Sequence, residues 1–284
     1  MNDLSIKWKD FYKNVFALVV PMALQNLINV GVTAADVVML GKVSEKVLSG
    51  ASLAGQIQYI MVLFLFGLTS GATVLTAQYW GKGDKTAIEK ILALGIRSAV
   101  IITAIFTIAA FTIPASLMRI FTNDQQVIAE GVKYLRIVAC SYIIMGITNV
   151  YLYVMRSIER VIVATVVYLA SFLCNVVFNA IFIFGLFGFP ALGIRGAAIA
   201  TLIARIMELV LVCGYAKIYN KDVKFRVHYF LHQDKLLVRD FLVYSLPVVL
   251  NEVMWGLGSS ANSAVLGHMG SSAVAANSVS QVVI

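Results

Sequence analysis

Residues 15–40, VFALVVPMALQNLINVGVTAADVVML, carry one formal charge, Asp36. A helix rises about 1.5 Å per residue and needs about 20 apolar residues to cross a hydrocarbon core about 30 Å thick. The stretch therefore reads as a transmembrane helix. Lys7, Lys9 and Lys13 precede it, but a secretory signal would have a shorter apolar core and a small-residue cleavage site. It reads as a retained first span.

Six further apolar segments of crossing length follow, at residues 47–79, 88–111, 134–155, 161–187, 196–215 and 241–269. An eighth begins near Ser271 and reaches Ile284 at about half the length a crossing needs. The expectation is an N-terminal fragment of a longer protein. Composition agrees with lipid as the solvent: 60% of the 284 residues are hydrophobic and 13% charged, where soluble domains run about 25% charged. The predicted fold class is all-α, a polytopic transmembrane helical bundle.

The net charge of +8 does not point to nucleic acid, because Lys and Arg sit in short stretches between apolar runs and no nucleic-acid-binding motif is present. Cys140, Cys174 and Cys213 each lie within an apolar run without metal-ligand spacing, and read as small buried hydrophobes. No Walker pattern supports an ATP-driven pump; Gly67, Gly71, Gly196, Ala197, Ala198 and Ala200 read as helix-packing positions.

The loops before the first span and after the second, fourth and sixth hold 14 Lys and Arg, and the alternating set holds four to six. The positive-inside rule then puts the N-terminus in the cytoplasm, of a bacterial inner membrane by expectation. The polar stretch 217–240 reads as a cytoplasmic linker. Its His228 and His232 stand four apart but lack a third ligand in register for a metal.

The chain repeats internally. A shift of 226 residues sets Pro21 on Pro247, Leu24 on Leu250, Ala35 on Ala261, Leu40 on Leu266, Gly41 on Gly267 and Ser52 on Ser278. Six spans separate the copies, so both run the same way through the membrane, as a parallel repeat about an axis along the membrane normal. The implied whole has twelve helices in two homologous lobes. This chain would hold a six-helix N-lobe (1–216), the linker (217–240) and the start of the second lobe (241–284).

Polar side chains in lipid need satisfaction, so their positions are informative. The first span carries Asn26, Asn29, Thr33 and Asp36 on one helical face, and the seventh carries Glu252, Trp255, Ser259 and Asn262 at the same offsets. The fifth carries Tyr168, Ser171, Asn175 and Asn179; the second carries Ser49, Ser52, Gln56 and Tyr59. These seams are expected to converge on a cavity. Asp36 is the candidate coupling-ion carboxylate. Glu252, about 17 Å along its helix, and Trp255 are candidates to hold an organic cation by charge and ring face, with Asn29 and Gln56 beside them. Arg205 and Glu208 read as a self-neutralising pair on one helix.

Ala35-Asp36-Val37-Val38-Met39-Leu40-Gly41, Asn175-Val176-Val177-Phe178-Asn179, Ile183-Phe184-Gly185 and 193–201 (GIRGAAIAT), together with Leu246-Pro247, Asn251-Glu252 and Trp255 to Gly267, resemble the multidrug and toxic compound extrusion (MATE) family. That resemblance covers the whole chain. It implies two six-helix lobes forming a V-shaped cleft and export of bulky cationic drugs in exchange for sodium or protons. By matching positions it implies a coupling-ion site, for sodium or a proton, at Asp36, Asn175, Asn179 and Thr201. Asn179 stands where some members have a second Asp, which lowers the charge of the site. The resemblance also implies a transport role for Glu252.

The expected function is thus a secondary antiporter of the plasma membrane, a monomer without cofactor whose partners are organic cations, sodium or protons, and lipid. The alternative is a flippase of lipid-linked oligosaccharides, which would need cationic groups in its cleft; only Arg97, Arg205 and Arg136 lie within spans. No nucleophile–base constellation supports an enzyme. A poorly folding truncated product is the remaining reading.

Overall fold

The computed structural model describes residues 8–226, 228–231 and 234–283. Lys7 of the basic N-terminal group and His232 of the histidine pair lie outside them. The described residues form helices without a strand: α1 (Trp8–Gly41), α2 (Glu45–Gly81), α3 (Lys85–Thr112), α4 (Pro114–Arg119), α5 (Gln125–Val138), α6 (Tyr142–Ser157), α7 (Val161–Phe184), α8 (Ile194–Ile218), α9 (His228–Leu231), α10 (Lys235–Met269) and α11 (Ser271–Val283). Among the described residues seven spans are long and apolar enough to cross a membrane, and α5 and α6 run together as one of them, Gln125–Ser157.

Local signals set the ends. Ser44, Asp84, Asp124 and Asp234 cap α2, α3, α5 and α10, each accepting from a backbone N–H two or three residues on. Two of these caps lengthen helices beyond their apolar stretch. The fourth span starts at Gln125 rather than 134, and α10 starts at Lys235 rather than 241, because a capped first turn tolerates charge at the membrane edge. Gly185 (φ 74°) ends α7 in the left-handed region, three residues short of the expected 187.

α2 is the central helix, packed on α3, α5, α6 and α10. Met61, Leu65, Ile88, Ile91, Leu92, Leu135, Leu152 and Met155 are fully buried around it. The outward faces are equally apolar. Ile101, Ile105 and Ile108 on α3, and Val166, Leu169, Leu173 and Val177 on α7, form exposed helical stripes. A bundle apolar inside and out is one solvated by lipid. Cys174 is buried, whereas Cys140 and Cys213 sit on the exposed faces, so the expectation of three buried cysteines holds only for the first.

The repeat appears as contact between equivalent residues. Ser278 Oγ donates to Ser52 Oγ at 2.8 Å, and Ser271 Oγ donates to Glu45 Oε1 at 2.5 Å; both pairs are 226 residues apart. Equivalent residues touch each other only on a two-fold axis, so a pseudo-two-fold passes between the starts of α2 and α11. It exchanges α1 with α10, and accordingly α2 packs on α10 while α1 packs on α11. Along α2 and α10 the backbones approach closely. A Cβ at Gly67 would lie 2.5 Å from Val249 Cα, and one at Gly71 would collide with Ser245.

At the end where α2 finishes, Asp222 accepts from Lys85 at 2.9 Å and Arg160 at 3.0 Å, and Arg226 pairs with Glu89 at 2.9 Å. The two cations hold the Asp222 carboxyl below its ordinary range, so the clasp is intact at neutral pH and is lost as pH falls below that range. Both cations are more than half exposed, which limits its contribution to about 0–1 kcal/mol.

Gly67→Leu is expected to lower the thermal midpoint in detergent, overpacking of this kind costing about 1–3 kcal/mol. Gly214→Leu, with no atom within 4 Å of the added Cβ, is the control and is expected to leave the midpoint unchanged.

Candidate functional site

α1 is the least embedded of the long helices between α1 and α8. Among its described side chains only Gln25, Ile28 and Leu40 are buried. Two polar clasps hold it to α7. Gln25 Nε2 donates to Thr165 Oγ1 at 2.7 Å and to the Val161 carbonyl at 3.2 Å. Toward the other end of α1, Asn179 Nδ2 donates to Asp36 Oδ1 at 2.5 Å.

The second clasp continues inward as a ladder. Asn179 Nδ2 also donates to Asn175 Oδ1 at 3.0 Å, Asn175 Nδ2 donates to Thr201 Oγ1 at 3.4 Å, and Thr201 Oγ1 donates to the Ala197 carbonyl at 3.0 Å. Asn175 and Asn179 are one turn apart on α7 and buried; Thr201 faces them from the first half of α8. Gly196, whose Cβ would lie 2.5 Å from the Phe182 carbonyl oxygen, permits the close α7–α8 approach that brings them together. All four residues expected at the coupling-ion site therefore form one hydrogen-bonded chain.

The chain has spare acceptor capacity. Asn179 Oδ1 is buried without a hydrogen-bond partner. A carboxylate, two amide oxygens and a hydroxyl suit a hard monovalent cation, and the carboxylate alone suits a proton. The orphan oxygen is the observation that favours a ligand, since a buried acceptor left unpaired costs about 1–3 kcal/mol.

Asp36 has a second neighbourhood. It lines a cavity of about 570 Å³ enclosed by α1, α2, α5, α10 and α11. Thr33 joins it from α1, Gln56 and Tyr59 come from α2, and Trp255, Ser259 and Ser263 from α10. No Lys or Arg lies on this wall among the described residues.

The expected seams thus divide. That of α2 splits between Ser49, which bonds to the start of α11, and the cavity wall at Ser52, Gln56 and Tyr59, Ser52 also meeting Ser278. That of α7 turns away, into the interior against α1 and α8. Asp36 is the residue common to the ladder and the cavity. Of the other candidates, Gln56 and Trp255 line the wall, while Asn29 is exposed and Glu252 half-buried, both off it. Glu252 lies within electrostatic reach of Tyr59 on the wall. Tyr134 is a wall residue the sequence did not single out. It shares a polar face of α5 with Gln126 and Glu130, but these precede residue 134, where the fourth span was expected to begin, so the face went unread. Arg205 Nη1 pairs with Glu208 Oε2 at 2.7 Å, as the i, i+3 spacing predicts.

The fold and this cavity define a multi-pass helical membrane protein with a chamber between α1 and α2 and their repeat equivalents α10 and α11. A model of the MatE family matches residues 21–181, more than half of the chain, and the chain belongs to that family. It is 29% identical over 198 residues to a probable multidrug resistance protein NorM of Thermotoga maritima, covering 68% of this chain and 42% of that relative. It is 22% identical over 273 residues to a protein of the same name from Agrobacterium fabrum, covering 96% of this chain and 58% of the relative. The chain spans about half the length of these curated relatives. Its fold matches a ligand-bound structure of the MATE multidrug transporter DinF-BH with a TM-score of 0.84, at 20% identity, over 98% of this chain and 61% of that one. An inward-facing multidrug resistance MATE family transporter matches with a TM-score of 0.78, at 20% identity, over 94% and 60%.

A double-mutant cycle of Asp36→Ala and Asn179→Ala, read by thermal unfolding in detergent, is expected to give a coupling energy of at least about 1 kcal/mol, since hydrogen bonds to charged groups contribute about 1.5–3. Additive effects would mean that the clasp does not hold α1.

Proposed function

We propose that this chain is the cation-coupling part of a secondary antiporter that exports organic cations, drugs among them, in exchange for sodium or protons. One observation carries the reading: Asp36 is both a wall residue of the interlobe cavity and the acceptor that ends the buried α7–α8 ladder. A carboxylate in that position couples what fills the cavity to how α1 sits on α7.

The cavity offers an organic cation a carboxylate and the rings of Tyr59, Tyr134 and Trp255, a pairing of charge and aromatic face that favours large, weakly hydrated cations. Its volume of about 570 Å³ falls in the range of about 300–1,000 Å³ typical of small-molecule sites. Gln56 and Trp255 are the proposed wall contacts. Asn29, two turns from Asp36 on α1, and Glu252, one turn from Trp255 on α10, are the proposed contacts on the approach.

A proton or sodium ion arriving at Asp36 neutralises the charge that attracts the organic cation, so drug and coupling ion exclude one another. The same event removes the charge assistance from the Asn179–Asp36 bond. One of the two clasps on α1 then weakens, and this shallowly embedded helix is free to shift. Sodium would take Asp36, the Asn175 and Asn179 amide oxygens and Thr201 as ligands; a proton needs Asp36 alone.

In this reading residues 1–216 form one lobe, 217–240 the connection and 241–284 the start of the second lobe. The protein is a monomer of the plasma membrane with its N-terminus in the cytoplasm. The names of the relatives, probable multidrug resistance proteins, support drugs as cargo.

In cells expressing the complete reading frame, Asp36→Asn is expected to abolish gradient-driven efflux of a fluorescent organic cation while membrane insertion stays at the wild-type level. Undiminished efflux by the mutant would remove Asp36 from coupling. No efflux from a well-inserted wild type would overturn the antiporter reading.

A further inference from the structure

Among the described residues, one fully buried acid takes no part in the proposed exchange. Glu208 on α8 is fully buried, and Arg205 Nη1 donates to its Oε2 at 2.7 Å. Its other carboxylate oxygen, Oε1, is buried and has no hydrogen-bond partner. An ion pair that only knitted α8 to its neighbours would bond to them. This pair instead lies along one helix, and half of the carboxylate is unsatisfied in a medium where that is costly.

Its position on α8 supplies a reason. Thr201, the hydroxyl at the foot of the ladder to Asp36, stands four residues before Arg205 and on the same helical face. Helical side chains lean toward the N-terminus of their helix. The Arg205 side chain therefore leans toward Thr201, and Glu208 leans back over Arg205. The charge of Arg205 is felt by Asp36 from α1, Tyr134 from α5 and Tyr168 from α7 as well as by Glu208. Arg156 and Tyr153 of α6 also face Tyr168, with the Arg156 guanidinium 5.6 Å from the centre of its ring.

A permanent cation thus stands about one helical turn from a site proposed to bind an exchangeable one. A guanidinium free to turn toward Asp36 would be a tethered competitor, and a strong one, since it can bond a carboxylate through two N–H groups at once. With Glu208 present the three side chains Asp36, Arg205 and Glu208 carry one net negative charge, and without it they carry none.

We propose that Glu208 is a positioning residue that holds Arg205 away from Asp36, so that Asp36 keeps the net charge needed to take up an exchangeable monovalent cation. The inference rests on the reading of Asp36 as the exchange site. It explains why a carboxylate stands midway along a spanning helix, three residues beyond the arginine rather than on another helix.

The test is efflux of ethidium from proteoliposomes holding the protein from its complete reading frame. The sodium or proton concentration that half-saturates transport is measured separately from the maximal rate and the thermal midpoint. Glu208→Gln is expected to raise the half-saturating concentration about tenfold, the scale of one uncompensated charge acting nearby. Arg205→Gln is expected to lower it by at least about threefold, because the competing charge is gone. The double variant, with two amides, is expected to return to within about threefold of wild type. A pair with only a structural role impairs both single variants in the same direction, together with their thermal midpoints. That outcome overturns the proposal, as does Glu208→Gln with wild-type half-saturation. If Glu208→Gln fails to fold, the opposite sign expected for Arg205→Gln and the recovery of the double variant still decide it. A wild type without cation dependence, or an Asp36→Asn protein that keeps it, would instead sink the reading of Asp36 on which the proposal depends.

Discussion

The hydrogen bond from Asn179 to Asp36 is the contact on which the rest of this architecture depends. A carboxylate on a span exposed to lipid is tolerated only where the protein supplies donors. Asn179 supplies one from a buried position on α7, and itself leans on Asn175 and, through it, on Thr201 of α8. α1, which buries few side chains of its own, is thereby tied to the buried interior of the first six spans. Removing the bond would leave α1 with the Gln25 clasp and apolar packing on α7, such as Gly31 against Phe172, but no polar tie at the Asp36 end.

The opposite side of α1 faces the cavity, so the fold places one acid between a rigid ladder and a chamber that solutes can fill. The chamber exists because the two repeats meet at their axis. α2 and α10 pack along their length through Gly67, Gly71 and Gly256, and the starts of α2 and α11 meet through serines and Glu45. The polar parts of α1, α2 and α10 are left facing one another across the gap. Every seam needs a partner in a medium without water, and a repeat that pairs equivalent seams provides one.

Much of this was legible in the chain. The spans follow from apolar length, and the two-fold follows from a shift of 226 residues that aligns Pro21 with Pro247 and Ser52 with Ser278, the latter pair meeting on the axis. Spacing placed Asn175 and Asn179 on one face of an apolar helix, but their grouping with Asp36 and Thr201 came only from the family resemblance. Less legible was direction. Helical spacing groups Tyr168, Ser171, Asn175 and Asn179 on one face but does not say whether that face meets a cavity or another helix; packing against α8 turned it inward. Span ends were misjudged where a capping aspartate, Asp124 or Asp234, begins the helix in polar sequence. Tyr134 escaped notice because Gln126 and Glu130, which share its face of α5, lie before the expected start of the fourth span. Asn29 and Glu252 each lie off the wall one turn from a wall residue, Thr33 and Trp255, because a shared helical stripe does not keep the same surroundings even over one turn.

The central claim, that one carboxylate at Asp36 takes up the exchangeable cation, is tested most directly by the charge that moves when a cation arrives. Membranes holding the complete protein, adsorbed on a solid support, would be exposed to a sudden step in sodium or proton concentration while the capacitive current is recorded. The account predicts a binding transient that is lost in Asp36→Asn and kept in Glu252→Gln. A transient that survives in Asp36→Asn, or that disappears only in Glu252→Gln, would contradict it and move the coupling site to the second repeat.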